Sequence, residues 1–169
     1  MKPLTKSILL CGLISLGLAL ASCHNTPKTN IERIDSLKKQ VNADAKLLND
    51  LETHEYVTLE KDFRTCDSIL QYQSQEQVEK SFETLQLVQA YLEQFRITKP
   101  MMKNEIDSTL LQLDRLKADA ESHYLSDSLV SVYIDDETNY VNKLSNQVHY
   151  FQDRFGTCQN DLNAMIKQR

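Results

Sequence analysis

The sequence predicts an all-α fold, with long amphipathic helices forming an antiparallel helical bundle or coiled-coil hairpins. Three observations point there. Past the apolar N-terminal segment the only glycine is Gly156 and the only prolines are Pro27 and Pro100, whereas strand-rich folds need both residue types at their many turns. Apolar residues recur at alternating three- and four-residue steps, the spacing that lines up side chains on one stripe of a helix. The longest such run fills the C-terminal quarter of the chain, so a few long helices with few connections account for the pattern.

The N-terminal segment is read as an export signal, residues 1–22. Lys2 and Lys6 form a charged head, and Ile8 to Ala21 is apolar but for Gly12, Ser15 and Gly17. That core is well short of the ~20 residues a membrane-spanning helix needs. The segment closes on Leu20-Ala21-Ser22-Cys23. This tetrapeptide resembles the lipobox of bacterial lipoproteins, a Leu and two small residues before a cysteine. The resemblance implies Cys23 as the lipid-attachment residue and the new amino terminus, carrying a diacylglyceryl group on sulfur and a further acyl chain (such as palmitate) on its amine. Two or more acyl chains hold a protein on a membrane surface without spanning it. His24 and Asn25 stand where a sorting Asp retains some lipoproteins at the inner membrane, so the resemblance implies the periplasmic leaflet of the outer membrane in the cell envelope. The rival reading is ordinary cleavage after Ala19-Leu20-Ala21, releasing a soluble protein that begins at Ser22.

Removing residues 1–22 takes away two of the 19 Lys+Arg and none of the 24 Asp+Glu, so the mature chain carries −7. A nucleic-acid binder needs a basic face, and no clustered Lys and Arg is present, so nucleic acid is not an expected partner. The acylated Cys23 and a polar tether make up residues 23–30, and residues 31–169 one helical bundle or coiled-coil domain. The seven tether residues His24 to Asn30 reach at most about 25 Å.

The first helix is expected from Asn30 as N-cap, with Glu32 in its first turn and a stripe of Ile34, Leu37, Val41, Leu48 and Leu51 that Asp44 interrupts. A second stripe, Tyr56, Leu59, Phe63, Cys66 and Leu70, is out of phase, because Leu51 to Tyr56 is a step of five. Either the chain turns near Thr53-His54 or one helix rotates its buried face. In the polar passage 71–77, Ser74 and Gln77 form a possible capping box, or lie exposed in mid-helix. Val78, Phe82, Leu85, Val88, Leu92 and Phe95 form the next stripe. A reversal is expected at Ile97 to Pro100, since proline disfavours helical geometry in the residue before it. Met102, Ile106, Leu110, Leu113 and Leu116 then carry a helix to about Ser122, and a connection through Ser126 leads to Asp127 as the next cap. The last helix is expected from Asp127 to Lys167, with Ile134, Val141, Leu144, Val148, Phe151, Phe155, Cys158, Leu162 and Met165 in its core and Glu137 breaking the run.

Catalytic and metal chemistry have no local signature here. Di-metal helical bundles use Glu-x-x-His pairs, but Leu51, Ala120 and Asn146 precede His54, His123 and His149 by three. A phosphate loop, a paired-glycine dinucleotide motif, a nucleophile elbow and a Cys-x-x-Cys-His haem motif are all missing from the sequence. No catalytic residue, metal ligand or cofactor is therefore expected. Asp135-Asp136-Glu137 reads as a solvated face, because consecutive helical residues splay apart. Tyr133 and Tyr140 lie one heptad apart beside the seam, where they either join a protein interface or edge the core. Cys66 and Cys158 remain as thiols once Cys11 leaves with the signal. A disulfide between them is possible in an oxidising compartment but not favoured, since an up-down-up-down bundle separates them by tens of Å. Two reduced, buried cysteines are expected.

The functional expectation is a membrane-anchored, non-enzymatic lipoprotein that binds a protein partner, or itself, through helix faces as a scaffold or assembly module. The alternative is a periplasmic holdase-type chaperone for outer-membrane proteins, by analogy with coiled-coil chaperones that are soluble and typically basic. An envelope enzyme without local motifs is third.

Overall fold

A computed structural model describes residues 29–70 and 75–167, without the side chains of residues 75–78 and 80. The export signal, Cys23, most of the tether and the Ser74 cap lie outside the described residues. Within them all regular structure is helical: α1 (Asn30–Asp50), a π-helical turn (Leu51–Glu55), α2 (Tyr56–Leu70), α3 (Gln75–Glu121) and α4 (Asp127–Lys167). The π-turn joins α1 to α2 without a break, so the chain makes three long arms. The first arm and α4 run parallel: Asn30 Nδ2 donates to the Asp127 carbonyl at one end and Cys66 Sγ sits 3.7 Å from the Leu162 carbonyl near the other. Antiparallel to both, α3 pairs Lys117 with Asp35 and Lys99 with Glu52.

The junction near His54 resolves through an insertion. Between Leu51 and Leu59, both buried, there are eight steps where a heptad seam has seven. The π-turn absorbs the extra residue by widening one turn, which π-bulges do inside otherwise regular helices. Ile34, Leu37, Val41, Leu48, Leu51, Leu59 and Cys66 consequently share one core, and the chain does not turn. Widening the helix here brings Tyr56 against Phe95 and Phe155, with ring centroids at 5.7 and 6.3 Å. Phe95 in turn meets Phe151 and Phe155 edge-on at 5.2 and 5.0 Å, making an aromatic layer across all three arms.

The expected reversal at Ile97 to Pro100 does not occur, and α3 runs straight through Pro100. Proline inside a helix costs about 3 kcal/mol, and two features offset it. The core phase continues across it, with Phe95 and Met102 each 1% exposed. Glu52, in the π-turn, accepts hydrogen bonds from both Lys99 and Lys103 and so clamps the helix on either side of the proline. Pro100 itself is on the exposed side, where water can satisfy the carbonyl its ring leaves without a donor.

The helix caps differ from expectation by one residue. Thr29 caps α1 in a full capping box with Glu32, making Asn30 the first helical residue. Ser126 caps α4, its hydroxyl accepting from the Leu129 N–H at 3.4 Å. At the α3–α4 corner His123 takes a left-handed φ of 54°, which lets the Tyr124 N–H close back on the Asp119 carbonyl at 3.0 Å. Three core assignments also change. Phe82 is 53% exposed, Ile69 rather than Leu70 is buried, and Thr109 rather than Leu110 is buried, its hydroxyl satisfied by the Glu105 carbonyl at 2.7 Å.

Candidate interaction face

Three arms enclose three grooves, and their chemistry is unequal. Ion pairs lace α3 to the first arm: Lys117–Asp35, Lys38–Asp114 and the Lys99–Glu52–Lys103 bridge. Accepting from both lysines holds the Glu52 carboxyl below its ordinary range. Between the first arm and α4, Arg33 pairs with Asp135 and donates to Ser131. Among the described residues no ion pair joins α3 to α4.

That third groove is built mainly from amides, tyrosines and apolar groups. A shallow depression of about 570 Å³ is lined by Gln94 and Thr98 from α3 and by Asn139, Asn142, Lys143, Asn146, Gln147, Tyr150 and Phe151 from α4. At one end Tyr91 meets Tyr150 edge-on at 6.4 Å, and the Arg154 guanidinium lies over both rings at 5.5 and 5.2 Å, a pair of contacts worth about 0.5–1 kcal/mol each at an exposed site. Tyr133 and Tyr140 stand on the same flank of α4, 44% and 46% exposed. On the outward side of α3, beyond the groove, Leu87, Ile97, Met101 and Leu111 are each about half exposed. Tyr133 and Tyr140 were legible from their heptad spacing. The α3 residues were not, because they lie between core positions and acquire a common face only once the buried side is known.

The acidic run splits three ways. Asp135 pairs with Arg33, Asp136 faces solvent and Glu137 turns inward, where Gln112 donates to it. Burial pushes the Glu137 carboxyl above its ordinary range, and the Gln112 hydrogen bond only partly opposes that. No group of three or more potential metal ligands converges among the described residues.

Asp44, Ser145 and His149 do converge, between α1 and α4. Asp44 is 3% exposed; its Oδ1 accepts from the Ser145 hydroxyl at 3.2 Å and lies 3.9 Å from His149 Nε2, while its Oδ2 is buried with no partner. Desolvation raises its pKa, against the lowering effects of Ser145 and His149. Nucleophilic catalysis needs the hydroxyl on the imidazole. Here hydroxyl and imidazole both address the carboxylate, and His149 Nδ1 lies 3.1 Å from Gln152 Oε1, so this trio is not a nucleophile–base pair.

Cys66 and Cys158 are free and buried, and burial pushes both thiols up, away from the reactive thiolate. The separation by tens of Å expected for them is wrong. With α3 unbroken the two cysteines lie on parallel neighbours, Cys66 level with Leu162, one turn from Cys158. One turn along the axis and one interhelical spacing still put their Cα atoms roughly 10 Å apart, beyond the ~7 Å a bridge tolerates.

Comparison of the chain with protein-family models, with curated proteins and with solved structures found no match. No helix among the described residues is long and apolar enough to cross a membrane.

Proposed function

We propose that this chain is a lipid-anchored, non-enzymatic interaction module of the bacterial envelope, held through Cys23 at the outer membrane's periplasmic leaflet and engaging a protein partner through the α3–α4 face. The observation that carries the partner half is the contrast between grooves. Two are bridged by ion pairs, while among the described residues the third has none and presents half-exposed tyrosines, the residue type favoured at protein interfaces. The anchor half rests on Leu20-Ala21-Ser22-Cys23. Its placement fits the bundle: α1 starts at Asn30, seven residues past Cys23, so the body, roughly 60 Å long by its helix lengths, is held by one end.

Two measurements test this. Metabolic labelling with a fatty acid marks the wild type and not Cys23→Ser; equal labelling of both rules out acylation at Cys23. Co-purification from a detergent extract yields one stoichiometric protein, lost in Tyr140→Glu. A mixture of unfolded outer-membrane proteins, retained by that variant, favours the holdase reading instead.

A further inference from the structure

The outward face of α3 carries a second stripe, distinct from its core stripe. Leu87, Ala90, Gln94, Ile97, Met101, Asn104, Ser108 and Leu111 follow one another in steps of three and four, all are exposed, and none is charged. In a chain with 25% charged residues, eight exposed positions without a charge form an uncharged strip roughly 36 Å long. By contrast, the corresponding outward strip of α4 includes Asp136, Lys143 and Asp153.

The stripe is symmetric about residue 99. Leu87 stands as far on one side as Leu111 on the other, and the same holds for Ala90 with Ser108, Gln94 with Asn104, and Ile97 with Met101. Each matched pair is of one kind: aliphatic with aliphatic, small with small, amide with amide. An isologous two-fold interface needs this property, since each residue must suit its mirror position on an identical surface. We infer that α3 pairs antiparallel with α3 of a second copy, about an axis near residue 99, with Ile97 and Met101 packed at the centre.

This rests on the interaction-module reading and adds a second copy of the chain as the occupant of the outward α3 strip. Two acidic chains repel one another, so a self-contact is best placed where neither carries charge. Gln94 and Asn104 can satisfy each other's amides across the axis. At the margin Glu93 approaches Asp107 of the copy, but Glu93 is already held by Arg96 at 2.6 and 2.8 Å. A contact along one helix strip falls below the ~1,200 Å² of standard interfaces, so the pair is weak in solution and strengthened when both copies are tethered to one surface. Residue 99 is level with Glu52, which places the two Asn30 ends roughly 65 Å apart. Tethers of about 25 Å then reach one membrane only with both bundles lying along it.

The test uses the full chain with Cys11→Ser and Cys23→Ser, in mild detergent. Added cysteines are oxidised gently under native conditions, where Cys66 and Cys158 stay buried. A mixture of the Leu87→Cys and Leu111→Cys chains gives a disulfide-linked dimer joining one of each, and neither chain alone does. Sedimentation shows a concentration-dependent dimer that Ile97→Glu weakens at least about tenfold with unchanged helicity. Self-crosslinking of Leu87→Cys alone would mean parallel pairing and overturn the proposal. So would sedimentation as a monomer at every concentration reached. If that monomer still co-purifies with one other protein, the interaction-module reading survives and only the second copy falls.

Discussion

Asp44→Asn should stabilise the bundle, by an amount that depends on pH. Asp44 occupies a core position between Val41 and Leu48, which are 0% and 1% exposed, and it satisfies only one of its two carboxylate oxygens. Leaving a buried polar atom without a partner costs about 1–3 kcal/mol, and more when it is charged. Asparagine keeps an oxygen for the Ser145 hydroxyl and removes the charge, but its amide nitrogen takes the unpartnered place of Oδ2, so only the excess cost of the charge is recovered. We therefore expect a gain of about 1 kcal/mol at neutral pH, or roughly 3–4 °C in Tm for a domain of this size. The folded pKa of Asp44 is raised above 3.8, so between the two values the folded chain keeps a proton that the unfolded chain has lost. Stability of the wild type thus falls as pH rises through that window and bears the full penalty above it. The advantage of Asp44→Asn is largest at neutral pH and shrinks as pH drops through the folded pKa towards 3.8. Urea unfolding of both proteins at several pH values measures the difference. A variant less stable than the wild type, or an advantage that does not change with pH, would refute the reasoning.

Other outcomes follow from the same geometry. Deleting exposed His54 turns the eight-step interval into seven, so the π-turn becomes α-helix and the chain still folds cooperatively. Deleting exposed Lys143 rotates the rest of α4 by about 100° out of the core and abolishes the cooperative transition by circular dichroism; tolerance of both deletions, or of neither, contradicts the register. Pro100→Ala restores a backbone donor to α3 and should stabilise by roughly 1–3 kcal/mol in urea titrations, and a loss would mean that the proline enforces a bend the fold needs. Cys66 and Cys158 should resist alkylation in the native protein and both react on unfolding without any reductant, whereas a requirement for reductant would reveal a bridge.

Heptad steps alone determined the helical class, the bounds of α4 from Asp127 to Lys167 and the burial of its seam from Ile134 to Leu162, because amphipathic periodicity is a local property and burial follows the stripe. They also located the phase break near His54. What they left open was how the break is absorbed, since a turn and a widened turn differ little in local sequence and the choice falls to the packing of Tyr56 on Phe95 and Phe155. Pro100 misled for the same reason: a local penalty of about 3 kcal/mol was outweighed by Phe95, Met102 and the Glu52 clamp, all supplied by contacts with other arms. From that one helix follow three arms instead of more, the parallel setting of α1–α2 with α4, and the short distance between Cys66 and Cys158. The uncharged strip from Leu87 to Leu111 was printed in the sequence throughout. It became a surface only when tertiary packing decided which side of α3 faces inward, because a stripe is exposed or buried by what lies against it and not by its own spacing.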